Sequence, residues 1–260
     1  MQTPRKALVL VGHGSARNPG TRLPVCANVQ AIRRTGAYDE VRCGLLKEEP
    51  HVSITLEKVD SPHITVVPFF VSDGYYSQKL IPEQMGLQLG LTASPDRKVV
   101  YTRAVGSHPL FADLLYRHAV AAGWTPGDCL VVLGHGTERN PESGTNVFLQ
   151  AERLRRRLRG QEIRTLFIDQ APFVQQVWKH TEAQRMVIVP LFMADGWHVT
   201  ETIPEDLGLV AGRAEKGGRS LCMTSAVGTD PGITDVILGM AREAEAAYGF
   251  PPSAEPLSLT

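Results

Sequence analysis

The sequence predicts two tandem α/β domains, each built on a parallel four-stranded sheet with helices on both faces. Three observations carry this. The chain of 260 residues suits two domains of about 120 residues each. Motifs recur at a constant offset of 122 residues. Within each copy, short apolar runs alternate with amphipathic stretches, the pattern of parallel strands joined by helices.

The repeat is the firmest of the three. Gly12-His13-Gly14-Ser15 recurs as Gly134-His135-Gly136-Thr137, and Arg17-Asn18-Pro19 as Arg139-Asn140-Pro141. Pro68-Phe69-Phe70 recurs as Pro190-Leu191-Phe192, Asp73-Gly74 as Asp195-Gly196, and Ile81-Pro82-Glu83 as Ile203-Pro204-Glu205. Ala104-Val105-Gly106 recurs as Ala226-Val227-Gly228. The offset holds without a gap from Gly12 to Pro109, with about three in ten positions identical. Convergent α/β patterning would not keep one offset so long, so the copies are a duplication.

Each copy reads alike. Ala7–Val11 and Cys129–Leu133 are buried-strand runs leading into glycine. An amphipathic helix follows, clearest at Val147–Leu158, where Ala151, Leu154 and Leu158 share a face and Arg153, Arg155, Arg156 and Arg157 form a solvated one. Val41–Leu46 and Ile163–Ile168 are second strands, with helices expected after Pro50 and Pro172. Third strands fall at Ile64–Val71 and Val187–Met193. A loop and helix around Pro82 and Pro204 lead to fourth strands near Lys98–Arg103 and Ser220–Ser225, and last helices follow Pro109 and Pro231. The repeats are drawn as 1–122 and 129–250, with a linker at 123–128 and a loose tail at 251–260.

Composition narrows the function. Hydrophobic residues make up 43%, and 27 basic residues balance 27 acidic ones, so bulk charge points to no nucleic-acid or membrane-surface partner. No apolar stretch is long enough for a membrane span. Cys26, Cys43, Cys129 and Cys222 lie far apart with no C-x-x-C spacing, which fits reduced thiols in a cytoplasmic protein better than a zinc or iron–sulfur site. No G-x-G-x-x-G follows the first strand, which argues against dinucleotide binding.

Chemistry is expected at the carboxyl ends of the strands, where open parallel sheets bind ligands. His13 and His135 each sit just past a strand, between glycines that let the backbone turn and leave the imidazole exposed. Asp195-Gly196-Trp197-His198 follows the third strand of the second copy, so His135 and His198 fall at one edge of one sheet. Two such histidines can share a divalent metal, or one can bind it while the other moves protons. A metal-dependent hydrolase would need more carboxylates nearby than the sequence supplies.

The Gly-His-Gly-[Ser/Thr] strand end, the later Gly-Trp-His and the following Ile-Pro resemble the marks of the class II tetrapyrrole chelatases. The chain is similar to their sirohydrochlorin cobaltochelatase and ferrochelatase family in its long two-repeat, CbiX-like form, over about residues 7 to 245. The resemblance implies two flavodoxin-like halves facing each other across a tetrapyrrole cleft. It implies insertion of Co²⁺ or Fe²⁺ into sirohydrochlorin without ATP, in cobalamin or siroheme biosynthesis. No cofactor is expected beyond that substrate metal, and the partner is an anionic tetrapyrrole met by a monomer or homodimer. A non-catalytic tetrapyrrole- or metal-binding protein of the same fold is the alternative.

The family's two histidines fall on His135 and His198, expected as metal ligands and catalytic groups. In the first copy His13 is kept but Tyr76 replaces the second histidine. A phenol of pKa near 10 is a poor ligand for these ions at neutral pH, so the first copy is expected to close the cleft, with His13 as auxiliary. The family's second-strand glutamate is matched only by Asp169, the third catalytic candidate, while Glu49 and Glu201 are possible auxiliaries. Arg17, Arg139 and Asn140 are expected to hold substrate carboxylates or ring edges, and Trp197 to pack on the macrocycle.

Overall fold

The computed structural model describes residues 5–15, 19–138 and 144–252. The chain runs β1 (Lys6–Gly12), α1 (Leu23–Thr35), β2 (Glu40–Leu45), α2 (Val52–Thr55), β3 (His63–Pro68), α3 (Ile81–Gln84), β4 (Gly90–Ala93) and β5 (Lys98–Tyr101). It continues through α4 (Phe111–Ala121), β6 (Cys129–Gly134), α5 (Thr145–Arg157), β7 (Ile163–Phe167), α6 (Val177–His180), β8 (Arg185–Pro190), α7 (Ile203–Leu207), β9 (Arg213–Lys216), β10 (Arg219–Met223) and α8 (Ile233–Ala247).

The two sheets have the same topology, β2-β1-β3-β5-β4 and β7-β6-β8-β10-β9. Each therefore has five strands rather than the expected four, and each is mixed rather than all parallel. The additions are β4 and β9, which pair antiparallel with β5 and β10. They escape a pattern search because they are four-residue edge strands with little apolar alternation. In β9 the sequence Arg-Ala-Glu-Lys is mostly exposed, as suits an edge that must not recruit another strand. Its hairpin turns on Gly217 and Gly218, both at positive φ.

The inner strands are continuous apolar runs because helices cover both sides. Ala7, Val9 and Val11 of β1 pack with Val52 of α2 and Ile81 of α3. The alternate residue, Gly12, faces Val25 of α1. In the second copy Cys129, Val131 and Leu133 of β6 pack with Val177 of α6 and Ile203 of α7, and Gly134 faces Val147 of α5. The helices expected after Pro50 and Pro172 are single turns, α2 and α6, each beside a 3-10 turn.

Packing divides the chain differently from the repeat. One compact unit comprises Met1–His108 with Pro231–Thr260; the other is Pro109–Asp230. Helix α4, drawn with the first repeat, packs on α5 and β8 of the second unit, whereas α8 packs on α1 and β3 of the first. Periodicity marks an amphipathic helix but not the sheet that receives it. A buried network fixes α8: Lys6 Nζ lies 2.6 Å from Glu245 Oε2. Tyr38 and Thr65 donate to Glu245 Oε1 at 2.7 and 2.9 Å. Residues 123–128, expected as a linker, form a packed turn inside the second unit. There Trp124 is buried and the Asp128 carboxylate accepts from the Thr125 N–H.

Candidate active site

Strands β6 and β8 are parallel neighbours, with Leu133 opposite Pro190, so their carboxyl ends open at one edge of the second unit. His135 leaves β6 there. The turn needs glycine at position 136, where φ is +67 and an added Cβ would meet Gln170 Oε1 at 2.9 Å. The end of β7 clips this turn from beside it: Asp169 N–H donates to His135 O at 2.9 Å. Thr137 N–H donates to the Gln170 side-chain oxygen at 3.1 Å.

After β8 the chain reaches His198, the first residue of a π-helical turn, His198–Thr202, that runs into α7. Gly196 O accepts from the N–H groups of Val199 and Thr200 at 2.9 and 3.1 Å, and Val199 anchors the turn in the core. Asp195 secures the preceding loop by accepting from Ala226 N–H at 2.6 Å. Behind it, Gly228 passes so close to Met193 that an added Cβ would lie 2.2 Å from backbone. Single π turns are frequent at functional sites because they re-aim one side chain without ending the helix.

The two imidazoles meet edge to face, with ring centroids 4.9 Å apart. His135 Nδ1 lies 2.8 Å from Gly136 O. A carbonyl only accepts, so Nδ1 carries the proton and the Nε2 lone pair is available. Asp169 Oδ2 is 3.6 Å from the same Nδ1, too far for a hydrogen bond but close enough to act through charge. His198 is half-buried, and its Nδ1 has no hydrogen-bond partner among the described residues. Burial chiefly, then the neighbouring His135, holds the His198 pKa below the usual imidazole value, with Asp169 opposing. His198 is thus biased toward the neutral imidazole, the form that binds metals and accepts protons.

Among the sequence-derived candidates, the structure brings His135, His198 and Asp169 together. Trp197 stands beside them, 67% exposed, and Glu201 is exposed in the same π turn. In the first unit His13 repeats the His135 turn, with Nδ1 2.7 Å from Gly14 O, and meets Tyr76 at 5.3 Å between centroids. Glu49 does not approach His13: it is exposed and accepts from the His51 N–H at 3.0 Å. Arg17, Arg139 and Asn140 lie outside the described residues.

Sequence reasoning missed Gln170 and its equivalent Glu48, whose carboxylate accepts from the Ser15 N–H. The repeat offset superimposes the two positions, and that alignment was the signal available. Among the described residues no three His, Cys, Asp or Glu side chains form a ready-made metal cage.

Fold and site together define an α/β protein of two like units, one carrying a histidine pair suited to a divalent metal. The CbiX family matches residues 7–122 and 129–244. A probable sirohydrochlorin cobaltochelatase of Halobacterium salinarum is 34% identical, over 94% of this chain and 93% of its own. A multi-domain protein of Deinococcus radiodurans, described as structurally similar to chelatases with two additional domains, superimposes with a TM-score of 0.77 at 28% identity. That match covers 91% of this chain, which spans about half of that protein, 54%. The sirohydrochlorin chelatase SirB of Bacillus subtilis, solved with cobalt, gives 0.70 at 18% identity over 96% of this chain and 100% of its own, a likeness of fold alone. This chain belongs to the CbiX family.

Proposed function

We propose that this protein inserts Co²⁺ or Fe²⁺ into sirohydrochlorin at the carboxyl edge of its second unit. The observation that carries the reading is the His135–His198 pair, 4.9 Å apart between centroids on adjacent strand ends. Metal insertion exchanges two pyrrole N–H protons for one divalent ion and needs no redox change. His135 offers its Nε2, because Nδ1 is committed to Gly136 O. His198 is held toward its neutral form by burial. Two imidazole nitrogens suit Co²⁺ or Fe²⁺ and leave coordination positions for the pyrrole nitrogens that replace them. As the ion leaves for the ring, a freed imidazole can accept one pyrrole proton while the other passes to solvent, and Asp169 beside His135 stabilises the imidazolium so formed. The reaction requires no cofactor beyond its metal substrate. The family membership and the cobaltochelatase relative support the choice of macrocycle.

Mixing the protein with sirohydrochlorin and Co²⁺ or Fe²⁺ and following absorbance tests the proposal. His135→Ala and His198→Ala should each slow insertion by at least about 100-fold, within the usual worth of a positioned proton acceptor. A wild type no faster than the double variant would leave only a tetrapyrrole- or metal-binding role.

A further inference from the structure

The parallel strands of each sheet begin at the edge opposite the glycine-flanked histidines, and there the repeats differ in charge. His63 opens β3, with Lys6 of β1 and Lys98 of β5 beside it in register. Its ring meets Phe250 edge to face, with centroids 5.0 Å apart. Phe250 lies three residues past the end of α8, is buried, and donates its N–H to Glu245 O at 2.9 Å. The His63 ring therefore packs against the close of α8. Its Nδ1 is buried without a hydrogen-bond partner among the described residues. The nearby carboxylate, Glu245, already meets Lys6, Tyr38 and Thr65. In the second unit the 122-residue offset puts Arg185 at this place, with Asp128 and Ser220 where the first unit has Lys6 and Lys98. Arg185 Nη2 donates to Ala122 O at 3.0 Å, and its Nη1 lies 3.9 Å from Asp128 Oδ2. The second unit thus provides for a permanent cation, whereas the first holds a titratable ring flanked by two lysines.

An imidazolium donates from both ring nitrogens. Protonating His63 would leave a buried N–H without an acceptor, beside two ammonium groups. We propose that His63 is an acid-sensitive latch on α8, whose protonation frees Phe250 and the last turn of that helix from the sheet of the first unit. Burial chiefly, then Lys98 and Lys6, holds the His63 pKa below the ordinary imidazole value, with Glu245 opposing. Once the end of α8 opens, the ring regains water and its ordinary pKa of about 6.5. The open form then binds the proton more tightly than the closed form. The closed form therefore loses stability as pH falls below about 6.5, and the loss is complete below the lowered native value. On the same helix Glu243 Oε2 lies 3.6 Å from His108 Nε2. Acid favours that pair, so it opposes the release and is not its source.

The test is hydrogen exchange of the full chain at about pH 7.5 and about pH 5.5, on either side of the ordinary imidazole pKa, read as protection factors. In the wild type, protection of the close of α8 up to Phe250 should fall about threefold or more at the lower pH. The end of α4, beside Arg185, should keep its protection. His63→Phe should abolish the fall at α8, and His63→Gln serves in its place if that variant unfolds. NMR should place the His63 midpoint below about 6.5. Lys98→Met, at an exposed position, should raise that midpoint, which a merely structural role for His63 would not predict. Equal protection of α8 at both pH values, a fall that persists without His63, or a His63 midpoint at or above the ordinary value overturns the proposal.

Discussion

Replacing Glu245 by Ala should strip the first unit of its last helix. Glu245 and Lys6 are 239 positions apart, yet their side chains form an ion pair in which each is only 5% exposed. Removing the carboxylate leaves a buried ammonium without its counter-charge and takes an acceptor from both Tyr38 and Thr65. Breaking a buried pair by deleting one partner costs about 3–5 kcal/mol. At about 2–4 °C per kcal/mol for a chain of this size, the first unit should melt about 6–20 °C lower. Hydrogen exchange read by mass spectrometry would localise the damage. Peptides from β1, α1, β3 and α8 should lose protection, and those from β6 and β8 should keep it. Lys6→Met with Glu245→Met should recover most of the loss, since an apolar pair of similar volume needs no charge compensation. A Glu245→Ala protein within about 1 kcal/mol of wild type, or one whose second unit opens first, would refute the assignment of α8 to the first unit.

Three further outcomes follow from the second unit. In the metal-free protein, His198 should titrate below the ordinary imidazole pKa of about 6.5, because burial and His135 outweigh Asp169. Asp169→Asn removes the one opposing influence and should move it lower still, as NMR of the ring protons would show. Gly228→Ala should destabilise the unit by about 1–3 kcal/mol or more, measured by denaturant unfolding, since its Cβ would sit 2.2 Å from Met193 backbone. Gln170→Leu removes the acceptor of Thr137 N–H and should lower kcat through a looser His135 turn. Gln170→Glu keeps that acceptor, as Glu48 does in the first unit, and should retain the turn.

Much of this architecture is legible in the sequence because it is local or repeated. The inner strands are apolar runs, the Gly-His-Gly turns advertise themselves, and the 122-residue offset aligns His198 with Tyr76. What escaped is what local pattern does not encode. Strands β4 and β9 are four-residue edges without apolar alternation, and a strand is defined there by its partner across a hairpin. The destination of α4 and α8 depends on long-range contacts such as Lys6 with Glu245. Glu49 was the expected auxiliary, whereas the backbone turn carries Glu48 onto the Ser15 N–H and leaves Glu49 exposed, accepting from the His51 N–H.

The divergence between the repeats is more informative than their likeness. Both units keep the glycine-flanked histidine, its Nδ1 contact to the next carbonyl, and the side chain two residues before the proline that holds the turn. Those shared features make an exposed imidazole and nothing more. Function lies in the substitutions laid on that frame. Tyr76 against His198 removes the second imidazole, and Lys47 against Asp169 reverses the charge of the residue whose N–H donates to the first histidine's carbonyl. Arg103 against Ser225 adds an oriented cation in the unit that lacks the pair. If the first unit were only an inherited support, its changes would have no consistent sign. These three changes share a sign, whereas Glu48 against Gln170 adds a carboxylate that is spent on the Ser15 N–H. Exchanging Lys47 for Asp and Tyr76 for His would give the first unit a histidine pair with a neighbouring aspartate, as in the second. A rise in the Co²⁺ bound per chain, measured by equilibrium dialysis, is the expected result. No rise would show that the shared frame does not carry the metal chemistry assigned to it.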